Sequence, residues 1–199
     1  MTDESKIIVK DNYLPDDAYE SIRKYFMGNE CYWYFNGNYS GGYPQMEHTF
    51  HNEVVGTQKY PNTPMVASYG MDKMKPLLDS FNYAALIRIR AVCNWKTGTM
   101  SQREYHVDVP FDCTTALYYL HDSDGLTLFE DGDNEPFEVE TKANRLVEFP
   151  SQYRHSATPF TTPVSRVLIN FNFIRSNASN LRANETFIMH SMGGQHPMS

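Results

Sequence analysis

What most constrains this chain is a succession of short, apolar-alternating segments after residue 83, separated by turn-forming residues. In the segment 86–92, Ile87, Ile89 and Ala91 alternate with Arg88 and Arg90, the period of two that a strand requires. Further strands are expected at 105–109, 114–120, 126–129, 137–140, 146–149 and 164–174. Asp122-Ser123-Asp124-Gly125, Asp131-Gly132-Asp133-Asn134 and Lys142-Ala143-Asn144 read as the turns between them. Many short strands at this spacing indicate a sandwich or barrel rather than alternating strand–helix units.

The N-terminal third reads differently. A short strand is expected at 6–10, then a helix opened by Leu14-Pro15-Asp16-Asp17 and closed by Gly28-Asn29. Ala18, Ile22, Tyr25 and Phe26 fall on one face of that helix. A weaker helix is expected at 72–78, with Pro76 within it or bounding it. Residues 32–64 are aromatic and Gly-rich: Tyr32-Trp33-Tyr34-Phe35 reads as a strand, and its rings suit substrate stacking and outer-strand packing equally. His48 and His51 read as surface histidines of a loop, with a substrate lid as the alternative. At 199 residues the expectation is one domain: residues 1–83 as support on the substrate side, 84–175 as core and 176–199 as a tail.

Charge and cysteine content narrow the function classes. A net charge of −7 opposes broad binding to a phosphate backbone, so nucleic acid is disfavoured as a partner. Three cysteines without a CxxC pair argue against a disulfide framework or a cysteine zinc site, and suit a reducing, cytoplasmic setting. No segment has the apolar length of a signal peptide or a membrane span.

Three residues carry candidate chemistry. On a strand His106 and Asp108 point the same way, although a His-x-Asp pair alone is weak evidence. Downstream, His155 follows a strand ending Glu148-Phe149-Pro150 and precedes the long strand from Ser165. Two imidazoles and one carboxylate form the facial set that suits non-haem iron(II), leaving adjacent positions open for a keto acid and dioxygen. On the last strand Arg166, Leu168, Asn170 and Asn172 share one face, and Val167, Ile169, Phe171 and Phe173 the other. An arginine there needs an anion: an internal carboxylate, or the distal carboxylate of 2-oxoglutarate gripped by the guanidinium fork.

Taken together, the segments "HVDVP", "ALYYLHDSDGLTLFEDG", "ANRLVEFPSQYRHSATP" and "SRVLINFNF" resemble the iron(II)/2-oxoglutarate dioxygenases, in their prolyl-4-hydroxylase-like branch. The resemblance runs from about residue 86 to 173. It implies a mainly β fold, a double-stranded β-helix (jelly-roll) core with supporting α-helices from the N-terminal third. It also implies His106, Asp108 and His155 as catalytic iron(II) ligands and Arg166 as the anchor of the 2-oxoglutarate C5 carboxylate. Tyr119 matches a tyrosine whose hydroxyl joins that carboxylate, and Leu117 shares its inward face. Asn94 stands where related enzymes place a polar contact to the C1 end, and Asn170 at a pocket-lining position. The implied reaction is dioxygen-dependent hydroxylation of a C–H bond in a peptidyl (prolyl-like) residue or a small metabolite. Oxidative demethylation of a nucleobase and a non-catalytic jelly-roll binding module are the alternatives. One departure is that the family's usual Gly-Gly reads Asp124-Gly125-Leu126 here, which touches a turn.

Overall fold

The two longest strands, β4 (Tyr83–Trp95) and β10 (Ser165–Arg175), pair antiparallel, and every other element is arranged around them. The computed structural model describes residues 2–37, 44–53, 68–96 and 102–176. Its other strands are β1 (Ile8–Lys10), β2 (Tyr34–Asn36), β3 (Gln45–Asn52), β5 (Thr114–Tyr119), β6 (Ser123–Phe129), β7 (Phe137–Thr141), β8 (Arg145–Pro150) and β9 (His155–Ala157). They form a seven-stranded sheet, β1-β8-β5-β10-β4-β3-β2, and a three-stranded sheet, β7-β6-β9. Strands distant in sequence lie side by side in two antiparallel sheets, the double-sheet jelly roll.

The alternation along β10 divides the molecule. Val167, Ile169, Phe171 and Phe173 are at most 2% exposed and pack with Ile89, Ala116 and Tyr118 against the N-terminal helices. The first helix, α1 (Asp16–Met27), contributes Ile22, Tyr25 and Phe26 to this layer, one face at helical spacing. Asp16 and Asp17 complement its N-terminal dipole, and the Gly28 amide closes its last turn on Lys24 O at 2.9 Å. The second, α2 (Lys75–Ser80), follows a 3-10 turn over Met71–Met74 and carries Pro76 in its first turn, where no N–H is needed. Burying each large apolar side chain of this layer contributes roughly 1.5–3 kcal/mol. The even-numbered residues of β10 face the other way, toward the small sheet. There a second core joins Leu117 and Tyr119 of β5 and Val147 and Phe149 of β8 to Phe129 of β6 and Val139 of β7.

Two expectations differ from the structure. Residues 105–109 are not a strand. The segment runs extended beside β9, joins it at a single bridge between His106 and His155, and bends at 108–110 where Pro110 offers no N–H. Conversely, the expected loop around His48 is the centre of β3, paired along β4 with an irregularity between Thr49 and His51. His48 is buried rather than on the surface, stacked on Phe50 at 4.0 Å with both ring nitrogens bonded, to Tyr32 O and Ser68 Oγ, at 2.6 Å. The polar composition of β3 hides its alternation, because the residues it buries include Gln45, His48 and Asn52. In the aromatic segment, Trp33 packs on Phe26 and Phe35 stacks on Trp95, while Tyr32, Tyr34 and Phe35 stay largely exposed. The remainder of that segment and the expected tail lie outside the described residues, apart from Ser176.

Candidate metal centre

Reciprocal main-chain bonds set the spacing of the two histidines. The His106 amide donates to His155 O at 3.0 Å and the His155 amide to His106 O at 2.9 Å, which leaves the rings 4.6 Å apart. Each Nδ1 faces a carbonyl two residues upstream, Glu104 O at 3.3 Å and Tyr153 O at 3.1 Å. With Nδ1 as the donor, each Nε2 keeps its lone pair for a metal. Phe149 meets the His155 ring edge to face at 5.0 Å and limits its rotation. The bend after His106 brings Asp108 Oδ2 to 3.6 Å from His155 Nε2. The ligand atoms of His106, Asp108 and His155 all lie within 4.8 Å of one another. Cis donors around an ion held at about 2.1 Å sit about 3 Å apart, so small side-chain rotations close this set on a cation.

The Asp108 side chain is 2% exposed, and both of its oxygens are bonded. Arg88 Nη2 donates to Oδ1 at 2.9 Å and Asn170 Nδ2 to Oδ2 at 2.8 Å. Burial pushes the Asp108 carboxyl up, but Arg88, the two imidazoles and Arg90 outweigh it and hold it well below the ordinary range. Arg88 is in turn fixed by Asn172 Oδ1 at 2.9 Å, and Asn172 by Thr115 at 2.9 Å. A carboxylate oxygen facing two imidazoles is the donor set that suits non-haem iron(II).

Arg166 lies at the cavity's other end, 2% exposed. It donates to Thr127 Oγ1 at 3.0 Å and to Leu126 O at 3.3 Å, and its guanidinium sits over the Tyr119 ring at 5.6 Å. Its Nε has no partner, and no described carboxylate lies within ion-pair distance. Burial lowers its affinity for the proton, with Tyr119 opposing. An unpaired buried cation costs several kcal/mol, so the internal ion pair considered from sequence has no counterpart among the described residues. Gly125 completes the cradle: a Cβ there would stand 3.0 Å from Phe160 Cβ and 3.6 Å from Arg166 Cδ.

Triad and arginine line one cavity of about 530 Å³, counted out to its open mouth. Asn94, Leu117 and Asn170 line it as well. Tyr119 does not; its hydroxyl bonds Thr127 Oγ1 at 2.6 Å from behind, so Thr127 presents the hydroxyl to the cavity. Thr127, Gln45 and Arg103 are additional lining residues that no sequence motif singles out, and the alternation of 86–92 gives Arg88 and Arg90 only a shared face. Thr127 nonetheless sits inside a quoted motif, and the alternation of β6 places it opposite Leu128; that signal was available. A wider surface cleft of about 1010 Å³ lies beside β1 and β8, where Glu148 is already paired with Lys10 and Arg175 and none of the described lining residues is a histidine.

No family model and no curated protein matches the sequence. Solved structures do match the fold. An oxidoreductase of the 2OG-Fe(II) oxygenase family from Burkholderia pseudomallei superposes with a TM-score of 0.64 at 14% identity, over 87% of this chain and 88% of that one. A prolyl hydroxylase from Trichoplax adhaerens, in complex with a hypoxia inducible factor peptide fragment, gives 0.59 at 14% identity over 84% and 83%. HygX from Streptomyces hygroscopicus, with nickel, 2-oxoglutarate and hygromycin B bound, gives 0.51 at 13% identity over 86% and 83%. The chain shares their jelly-roll fold.

Proposed function

We propose that this chain is an iron(II)- and 2-oxoglutarate-dependent oxygenase that hydroxylates a C–H bond of a small molecule or a peptidyl residue. The observation that carries the reading is the pairing, in one cavity, of a two-histidine, one-carboxylate set with a buried arginine whose Nε is unpartnered. Either feature alone has other uses; both together fit a chelating keto acid with a distal carboxylate.

His106 and His155 would hold the metal through Nε2 and Asp108 through Oδ2, while Arg88 keeps Oδ1 and restricts the carboxylate to one donor oxygen. Iron(II) with 2-oxoglutarate supplies the oxidative decarboxylation and oxygen insertion of this class of reaction. Arg166 and the Thr127 hydroxyl would orient the keto acid by its far carboxylate, a charge-assisted fork in a water-poor setting. Leu117, Val92 and Leu168 supply the apolar part of an otherwise polar lining. The neighbours of known structure include proteins complexed with a peptide fragment and with hygromycin B, so both substrate kinds suit the fold.

Anaerobic titration tests the reading: with iron(II) bound, 2-oxoglutarate is expected to raise a weak visible charge-transfer band. Arg166→Gln should weaken that binding about tenfold or more, the worth of a charged hydrogen-bonded pair. A wild-type protein that binds iron(II) yet shows no saturable 2-oxoglutarate response would end the proposal.

A further inference from the structure

The chain is acidic overall, yet its cavity is not. Arg90, Arg103 and Arg166 line it, with Arg88 immediately behind, whereas Asp108 is the one carboxylate among the described lining residues. Arg90 is 5% exposed, and Glu47, 3.8 Å from its Nη1, is turned partly to solvent. Arg103 reaches across from the segment beside β9 to the neutral oxygens of Gln45, at 3.1 Å, and Asn94, at 2.5 Å. The proposed function uses Arg166 and Arg88 and leaves Arg90 and Arg103 without a role. With a divalent metal and a dianionic keto acid in place, the four arginines and the metal still outweigh Asp108, Glu47 and the two added carboxylates by two charges.

The positions of these charges are separate. Arg166 pairs in register with Asn94, whereas Arg90 pairs with Asn170, four residues along β4 and about 13 Å away at strand rise. Arg90 is therefore level with the metal set, on its β3 side. In the same row Asn170 lines the cavity, and its buried Oδ1 has no partner among the described residues. A buried guanidinium next to an orphan acceptor is matched by a ligand that carries an anion and a hydrogen-bond donor.

Resting on the proposed function, we infer that the molecule to be oxidised is a small carboxylate-bearing compound, its anion bound by Arg90 and a hydroxyl or amino group by Asn170 Oδ1. Arg103 bonds across the cavity to Gln45 and Asn94, a crossing that favours a free small molecule over an extended chain.

The test uses the full chain loaded with zinc and saturated with 2-oxoglutarate. Short hydroxy, amino and aromatic carboxylic acids are titrated calorimetrically, each against its own primary amide. At least one acid should bind about tenfold more tightly than its amide, the expected worth of a charge-assisted contact. Arg90→Gln should erase that preference while leaving 2-oxoglutarate affinity unchanged, and Arg90→Lys should restore part of it in a protein with the same near-UV spectrum. Acids that bind no better than their amides, or an Arg90→Gln variant that loses 2-oxoglutarate instead, would overturn the inference. Failure of 2-oxoglutarate to bind the zinc form strikes the proposed function, and the acid–amide comparison on zinc protein without it still judges Arg90 separately.

Discussion

Asp108 is where opposing demands meet. Its carboxylate is buried, and it stays ionised because Arg88 and Asn170 bond both oxygens. Arg88→Met removes the principal countercharge and should cost the metal-free protein about 3–5 kcal/mol, the usual penalty for orphaning one member of a buried pair. A bound cation replaces that countercharge. Thermal melts with and without zinc should therefore show a larger stabilisation by metal in the variant than in the wild type; equal increments would mean Arg88 does not act through Asp108. Asp108→Ala and His155→Ala each delete a ligand, and each should weaken zinc or iron(II) binding by well over tenfold by competition with a chelator. Unchanged affinity in either would displace the metal from this set.

Among the elements, β10 shows how far periodicity reaches. Its alternation, read from residues 166–173 alone, assigns Arg166 and Asn170 to one face and the large apolar residues to the other, and the sheet realises that division. The helix of Ile22, Tyr25 and Phe26 was legible for the same reason. What escaped depends on partners far away in sequence. Nothing local in 105–109 says that pairing stops after one bridge, and nothing in Arg88 names Asp108 as its partner. The polar strand β3 exists because β4 offers it a ladder. That strand has a consequence in solution. Burial lowers the His48 pKa, with the Tyr32 carbonyl opposing, so the folded form resists protonation that the unfolded chain accepts near 6.5. Such a group adds no penalty above that value and removes stability as pH falls below it, by at most about 1.4 kcal/mol per pH unit. Urea midpoints between pH 8 and pH 5 should fall on the acid side, and His48→Gln should flatten that fall. An identical slope in the variant would exclude His48 as the source.

Across the whole molecule, the small sheet meets the large one through the core around Phe129, through the cavity, and through the segment carrying His106 and Asp108. Ligands that span the cavity should therefore tighten this half most. On the proposed function, 2-oxoglutarate at about a hundred times its dissociation constant for the zinc form should add about 2.7 kcal/mol to global stability over zinc alone. Hydrogen exchange should show protection concentrated in β6, β9 and residues 102–108, while β1 and α1 change little; uniform protection would contradict this. The reciprocal main-chain link between His106 and His155 adds one more consequence. Peptide groups, and not the imidazoles, hold those two positions at a constant separation, so their side chains are exchangeable parts on a rigid mount. Cysteine in place of either histidine would offer a thiolate from the same backbone position but set further back than the imidazole nitrogen, so a change of ligand toward softer ions also asks for a larger or displaced ion.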